Sequence, residues 1–250
     1  MPDIRSDLKK MLPHLLKARE DNLNEADTVQ RIIKVCENVL GYDGLSEITS
    51  ETKIKEKYVD LAIKLDGTVR LLVEAKAAAV PLKDKHIEQA QSYAAHANIP
   101  WVLLTNGVEW NLYHLSFEEG IEYVTAFSVD LSDDDIGAAC DKLQYLHRQS
   151  LKKGDLDAFW DEQVALSPEP IAKALFCEAS LKLIRRELKK STGLLADLET
   201  LATALHNMFS VETRERIGPM RIRRGKAQRK PKPKEADTEQ PATSEGPGDQ

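Results

Sequence analysis

Apolar positions along this chain follow two rhythms. In YVDLAIKLDGTVRLLVEAK, residues 58–76, they recur at every second position, the period of a half-buried strand. Asp66-Gly67 interrupts the run, and both residues tolerate the positive φ of a two-residue hairpin turn. The alternation places Val59, Leu61, Ile63 and Leu65 on one face of the first strand, and Asp60, Ala62 and Lys64 on the other. On the second strand, Val69, Leu71, Val73 and Ala75 share one face, and Arg70, Leu72, Glu74 and Lys76 share the opposite one. A second hairpin is predicted from Trp101 to Leu115 with Asn106-Gly107 at its turn, and single strands over 46–52 and 121–128. Helical spacing governs residues 25–40, where Val29, Ile32, Ile33, Cys36, Val39 and Leu40 form a stripe between an N-cap at Asn24 and a stop at Gly41. Residues 84–97, between Pro81 and Pro100, read as another helix.

From Ser132 onward only the helical rhythm continues, over about 133–149, 155–165, 169–190 and 193–210. Beyond Gly218 large apolar residues almost vanish, and Pro, Gly, Lys and Glu dominate, a composition that does not support a packed core. The expected organisation is an α/β domain over 1–131, an α-helical extension over 132–213, and a disordered tail over 214–250 that is basic, then acidic. With 250 residues, 42% of them hydrophobic, the chain is long enough for one substantial core.

Charge changes this picture by its distribution. The formal net charge is −6, which excludes a uniformly basic coat. Yet residues 214–234 hold ten Lys/Arg against one acid, Glu215, so Arg221, Arg223, Arg224, Lys226, Arg229 and Lys230 are candidates for phosphate contacts. Three widely spaced cysteines suggest neither a zinc site nor a disulfide framework. The N-terminal segment lacks the apolar core of a signal peptide, and no apolar run is long enough to span a membrane. A soluble, cytoplasmic protein without membrane association is expected.

The candidate chemistry lies on the first hairpin. The strand period sets Glu74 and Lys76 side by side, and a suitable register brings Asp60 next to them. Two carboxylates that close resist joint ionisation, whereas a divalent cation keeps both charged. Such a trio suits metal-assisted hydrolysis of a phosphodiester. Taken singly, each has a plainer reading: Asp60 as an edge-strand charge, Glu74 and Lys76 as a solvated strand face. His86 reads as a surface histidine, and Trp101 and Trp110 as cross-strand packing.

Several short segments, in order, carry a resemblance. They are Asn24-Glu25-Ala26-Asp27-Thr28, Leu40-Gly41-Tyr42-Asp43, Val59-Asp60, Glu74-Ala75-Lys76, Gln89-Ala90-Gln91-Ser92-Tyr93, and Leu104-Thr105-Asn106-Gly107 leading to Trp110. Together, over about residues 20–130, they resemble the PD-(D/E)XK nuclease superfamily, and within it the N-terminal nuclease domain of type I restriction enzyme R (motor) subunits. The resemblance implies a restriction-endonuclease-like core, a mixed central sheet flanked by helices. It also implies that Asp60, Glu74, the Ala75 carbonyl and Glu25 bind Mg²⁺, with Mn²⁺ as a substitute. Lys76 would orient the attacking water and offset developing charge, and Gln89 and Tyr93, on one helix face, would support cleavage.

Val59 stands where the superfamily name has proline, and no GxxxxGK[ST] phosphate loop occurs, so an ATP-driven motor is not expected. The implied substrate is nucleic acid, with DNA favoured over RNA. A homodimer and a specificity or other partner subunit are both compatible with this reading. The alternatives left open are a catalytically silent nuclease fold that binds nucleic acid or protein, and a scaffold that works through its helices.

Overall fold

A computed structural model describes residues 2–54, 57–117 and 120–223. Two compact units result, residues 1–165 and 166–250. The first is built on a six-stranded sheet: β1 (Ile48–Ile54), β2 (Lys57–Leu65), β3 (Thr68–Ala75), β4 (Trp101–Thr105), β5 (Glu109–Ser116) and β6 (Glu122–Asp130), neighbours in that order. Every adjacent pair is antiparallel except β3 and β4, which run parallel. A parallel pair needs a crossover, and α3 (Ile87–Ala97) supplies it.

Local chemistry explains most of these elements. Asp66 and Gly67 adopt φ of 50° and 78° at the β2–β3 turn. Asn24 caps α2 (Glu25–Asn38) by accepting the Asp27 N–H at 2.9 Å. At the β4–β5 turn, Asn106 Oδ1 accepts the N–H groups of Val108 and Glu109. The expected mixed sheet flanked by helices is therefore the observed architecture.

The sheet is covered on both faces. One apolar layer gathers Leu61, Ile63, Leu71, Val73, Leu103, Trp110 and Leu112 with side chains from α2. The other sets Ala62, Leu72, Val102 and Leu104 against Ile87, Ala90, Tyr93 and Ala94 of α3. Val59 joins this second layer rather than that of Leu61, which departs from simple alternation where β2 leaves β3.

Other differences from expectation have physical causes. Residues 5–20 form an element absent from the sequence reading, α1 (Arg5–Glu20), which runs through Pro13 and buries Leu8 and Leu15 in the first layer. The helix expected over 133–149 is divided into α4 (Ile136–Leu143), a 3₁₀ turn at Gln144–Leu146, and α5 (Arg148–Lys153). These segments, with α6 (Asp155–Ala165), belong to the sheet unit. Ala139, Leu143, Leu146 and Leu156 enter its core, the Tyr42 hydroxyl donates to the Leu146 carbonyl at 2.6 Å, and Arg148 Nε lies 2.7 Å from Glu47. The boundary thus falls after Ala165, not near residue 131.

The second unit holds α7 (Pro168–Leu175), α8 (Glu178–Thr192), α9 (Leu198–His206) and α10 (Val211–Ile217). The single helix expected over 169–190 breaks at Phe176-Cys177, where Cys177 caps α8 and bridges to Arg223. Residues 214–223, expected as tail, thus carry the end of α10 and that bridge; Arg224, Lys226, Arg229 and Lys230 lie outside the described residues. Among the described residues, no helix is long and apolar enough to cross a membrane.

Candidate functional site

The site forms where two strands part. Paired residues of β2 and β3 run from the turn to Leu61 and Val73. Beyond that pair, the Asp60 side chain takes over from the ladder, with Oδ2 accepting the Ala75 N–H at 2.7 Å. The end of β3 stays tied to β4 on its other side, because the Lys76 N–H donates to the Thr105 carbonyl at 2.9 Å. A gap between strands is thereby held open with a carboxylate at its mouth.

Alternation along β3 sends Val73 and Ala75 into one apolar layer, so Leu72, Glu74 and Lys76 share the α3 face. Glu74 is buried, its side chain only 2% exposed. Lys76 Nζ donates to Glu74 Oε1 and to the Ala75 carbonyl, both at 2.7 Å, and lies 3.6 Å from Glu25 Oε2. Glu25 comes from the first turn of α2. The loop after β3 is fixed there by the Ala78 N–H, which donates to the Leu23 carbonyl at 3.1 Å. One ammonium therefore touches three oxygens from two elements.

Burial pushes the Glu74 carboxyl up to about 7, and the charges of Asp60 and Glu25 push the same way, against the hydrogen bond and charge of Lys76. Burial opposes the charge on Lys76, but Glu74, Glu25 and Asp60 together carry its ammonium above the ordinary lysine value. Glu74 Oε2 is enclosed without a hydrogen-bond partner among the described residues. A buried carboxylate oxygen left in this state is costly unless a proton or cation meets it. Among the described residues, no group of three or more His, Cys, Asp or Glu is already gathered as a metal cage.

The remaining sequence candidates are distributed differently. Asp60, Glu74, Ala75, Lys76 and Glu25 are brought together. Tyr93 is buried in the apolar layer of α3, a packing position. Gln89 lies on α3, and its side chain is outside the described residues. Arg221 and Arg223 belong to the second unit.

Two residues given plain roles in the sequence reading have further interactions. His86 is half-buried, its Nδ1 accepts the Lys83 N–H at 3.2 Å, and its imidazole is held below the ordinary value by burial first and then by the charges of Lys76, Lys85 and Lys83. Asn106, read as turn chemistry, also donates from Nδ2 to the Val80 carbonyl at 3.0 Å, anchoring the loop that follows Lys76.

Residues 24–127 match the family described as type I restriction enzyme R protein N terminus. The match spans α2 to β6, and so includes Glu25, Asp60, Glu74, Ala75 and Lys76 while leaving out α1 and everything from α4 onward. This region is thus similar to the N-terminal part of restriction-enzyme R proteins. No curated protein and no solved structure matches the chain.

Proposed function

We propose that the sheet unit is a metal-dependent nuclease of the PD-(D/E)XK type, which hydrolyses phosphodiester bonds of DNA. The observation that carries this reading is the Lys76 ammonium, seated on Glu74 Oε1 and the Ala75 carbonyl and close to Glu25 Oε2, beside a Glu74 Oε2 that has no hydrogen-bond partner among the described residues. This is a cation position lined by hard oxygen donors, which Mg²⁺ and Mn²⁺ prefer. Asp60, Glu74, the Ala75 carbonyl and Glu25 would hold the ion. When bound, such an ion acidifies a water and neutralises phosphoryl charge.

The chain's own groups then have separable tasks. Asp60 is oriented by the Ala75 N–H before any ligand arrives, which lowers the cost of reorganisation. Glu74 must be ionised to serve as a ligand, and burial makes that ionisation dependent on a cation. Lys76, released from Glu74 as another cation takes its place, would orient the attacking water and offset charge on the phosphoryl oxygens. DNA as substrate follows the similarity to restriction-enzyme R proteins, and these residues do not read the sugar, so RNA is the competing substrate.

The test is cleavage of supercoiled and single-stranded DNA, and of RNA, with Mg²⁺ or Mn²⁺, beside Asp60→Ala and Lys76→Ala. A rate loss of about a thousandfold or more in both folded variants is expected, roughly 4 kcal/mol of barrier. Mn²⁺ binding followed by calorimetry should weaken in Asp60→Ala. One observation favours a second reading: Lys76 already neutralises Glu74, which suits a silent binding module. Mn²⁺ binding with no cleavage of any substrate would select that module over the nuclease.

A further inference from the structure

A second concave site lies far along the chain, within residues 166–223. It is a cavity of about 370 Å³, within the size range of small-ligand sites, roughly 300–1,000 Å³. Part of its lining is apolar, from Phe176, Ile217 and Met220, and part is polar and basic, from Lys173, His206, Arg221 and Arg223.

Backbone geometry puts the two arginines there. α10 ends at Gly218, whose φ of 70° and ψ of −167° suit glycine and turn the chain back. The returning segment is pinned at the α7–α8 junction: the Arg223 N–H donates to the Phe176 carbonyl, and the Glu178 N–H donates to the Arg223 carbonyl, each at 3.0 Å. Arg221 and Arg223 are thereby held at the lining rather than trailing from it.

The electrostatics are one-sided. Glu169 is the only carboxylate of the lining among the described residues, and it is paired with Lys173 one turn along α7. Its carboxyl is held below the ordinary value by Lys173 first, and also by Arg216 and Arg223. Among the described residues, Arg216, Arg221 and Arg223 form no ion pair of their own. His206 Nε2 is enclosed without a hydrogen-bond partner among the described residues. An enclosed imidazole nitrogen without a partner among the described residues, beside guanidinium groups that form no ion pair and outnumber the single lining carboxylate, suits an anion with several acceptor oxygens.

We propose that this cavity binds the phosphate of a nucleotide, with phosphoryl oxygens accepting from Arg221, Arg223 and His206 Nε2, and the sugar and base against Phe176 and Met220. The phosphate belongs either to a free nucleotide or to the phosphorylated end of a strand. The site lies outside the region similar to restriction-enzyme R proteins, and it goes beyond the nuclease reading without resting on it.

The full chain is titrated calorimetrically, in EDTA and on the Lys76→Ala background, with dAMP, deoxyadenosine and inorganic phosphate. Tighter binding of dAMP than of deoxyadenosine, by tenfold or more, is expected. Arg221→Ala with Arg223→Ala should weaken dAMP at least tenfold, and both side chains are exposed, so folding is not at stake. His206→Ala should weaken it too, and His206→Gln, which keeps a donor, should restore part of the loss.

Competition by 5′-phosphorylated but not 5′-hydroxyl oligonucleotides identifies a strand end, and competition by mononucleotides alone identifies a free nucleotide. Absence of dAMP binding, equal binding of dAMP and deoxyadenosine, or unchanged affinity in the double variant overturns the proposal. Phosphate-dependent binding in a protein that cleaves nothing would leave this site standing and remove the nuclease. Cleavage without dAMP binding would do the reverse.

Discussion

The two units differ in charge and in depth of packing. Residues 1–165 contain 19 Lys/Arg against 29 Asp/Glu, a formal charge of −10, while residues 166–250 contain 16 against 12, a charge of +4. The first unit has a sheet buried on both faces, with Trp110, Leu61, Leu72 and Leu104 fully enclosed. The second closes around five buried side chains, Ala172, Phe176, Leu181, Leu201 and Ala202, with a ring of partly buried neighbours. The contrast separates two requirements. A unit of charge −10 repels a polyanion except where cations enter its acidic pocket, whereas a unit of charge +4 does not. Positioning a buried carboxylate within bond distance of a lysine needs the stiffness of a ladder with both faces packed, and a thin helical core does not supply it.

The largest effect should come from the deeper core. Trp110→Ala removes a side chain with no exposed surface whose Nε1–H donates to the Gly107 carbonyl at 3.0 Å. A loss of about 3–5 kcal/mol is expected, and with it the strand gap and any cleavage. Leu181→Ala, at the centre of the thinner core, should cost about 2–4 kcal/mol. Hydrogen exchange resolved along the chain would show whether its effect stays within residues 166–223. Equal loss of protection in β3 and β4 would break the comparison, because the two units would then unfold as one.

The next effect depends on pH. The folded-state value of Glu74, about 7, lies above the ordinary 4.5, so between those values the folded chain holds a proton that the unfolded chain has released. The contribution of Glu74 to the stability of the metal-free protein should therefore be fully present below about 4.5 and be lost as pH rises through 7, by on the order of 3 kcal/mol. Burial sets the window first, and Lys76, Asp60 and Glu25 are the charges that adjust it. Thermal melts from pH 5 to 8 should show the decline, Glu74→Gln should flatten it, and Mg²⁺ should reverse it at the alkaline end if the ion binds ionised Glu74. No decline in the metal-free protein would mean that Lys76 alone satisfies the carboxylate.

How much of this was legible in the sequence depends on the range over which each feature is encoded. The Asp66-Gly67 turn, the Asn24 cap and the shared face of Glu74 and Lys76 need only neighbouring residues, and all are observed. The hydrogen bond from Ala75 to Asp60 spans 15 residues and marks where a ladder stops, which strand periodicity does not encode. The adjacency of β3 and β4 depends on a crossover, and the inclusion of α4 to α6 in the sheet unit depends on contacts such as Tyr42 with Leu146, 104 residues apart. α1 was hidden by Pro13, a residue that ordinarily argues against a helix interior. Burial by the sheet outweighs that penalty.

A smaller effect is expected from Asn106→Ala. It leaves the Val80 carbonyl and the N–H groups of Val108 and Glu109 without their partner, at about 1–3 kcal/mol. Because the Val80 loop follows Lys76 directly, cleavage should fall more than the stability loss alone explains. Asn106→Asp retains Oδ1 acceptance and loses both Nδ2 bonds, to the Val80 carbonyl and to Glu109 Oε1, and paired with Glu109→Gln it would separate the loop anchor from the turn.

The smallest effect should belong to Tyr93, and it bears on the boundary between chemistry and packing. By resemblance this residue supports cleavage, yet its ring sits among Ala90, Ala94, Ile99 and Leu104 and is only 3% exposed. Tyr93→Phe keeps the ring and its packing volume and deletes one hydroxyl, so cleavage should stay within about twofold and stability within about 1 kcal/mol if packing is its role. A residue that hydrogen-bonds DNA or Lys76 would instead lose about tenfold or more in rate, with the melting temperature unchanged. Tyr93→Ala would not discriminate, since emptying that volume loosens α3 whichever role is correct. The conservative substitution, read in rate and melting temperature together, decides whether α3 is part of the chemistry or only the helix that closes the second face of the sheet.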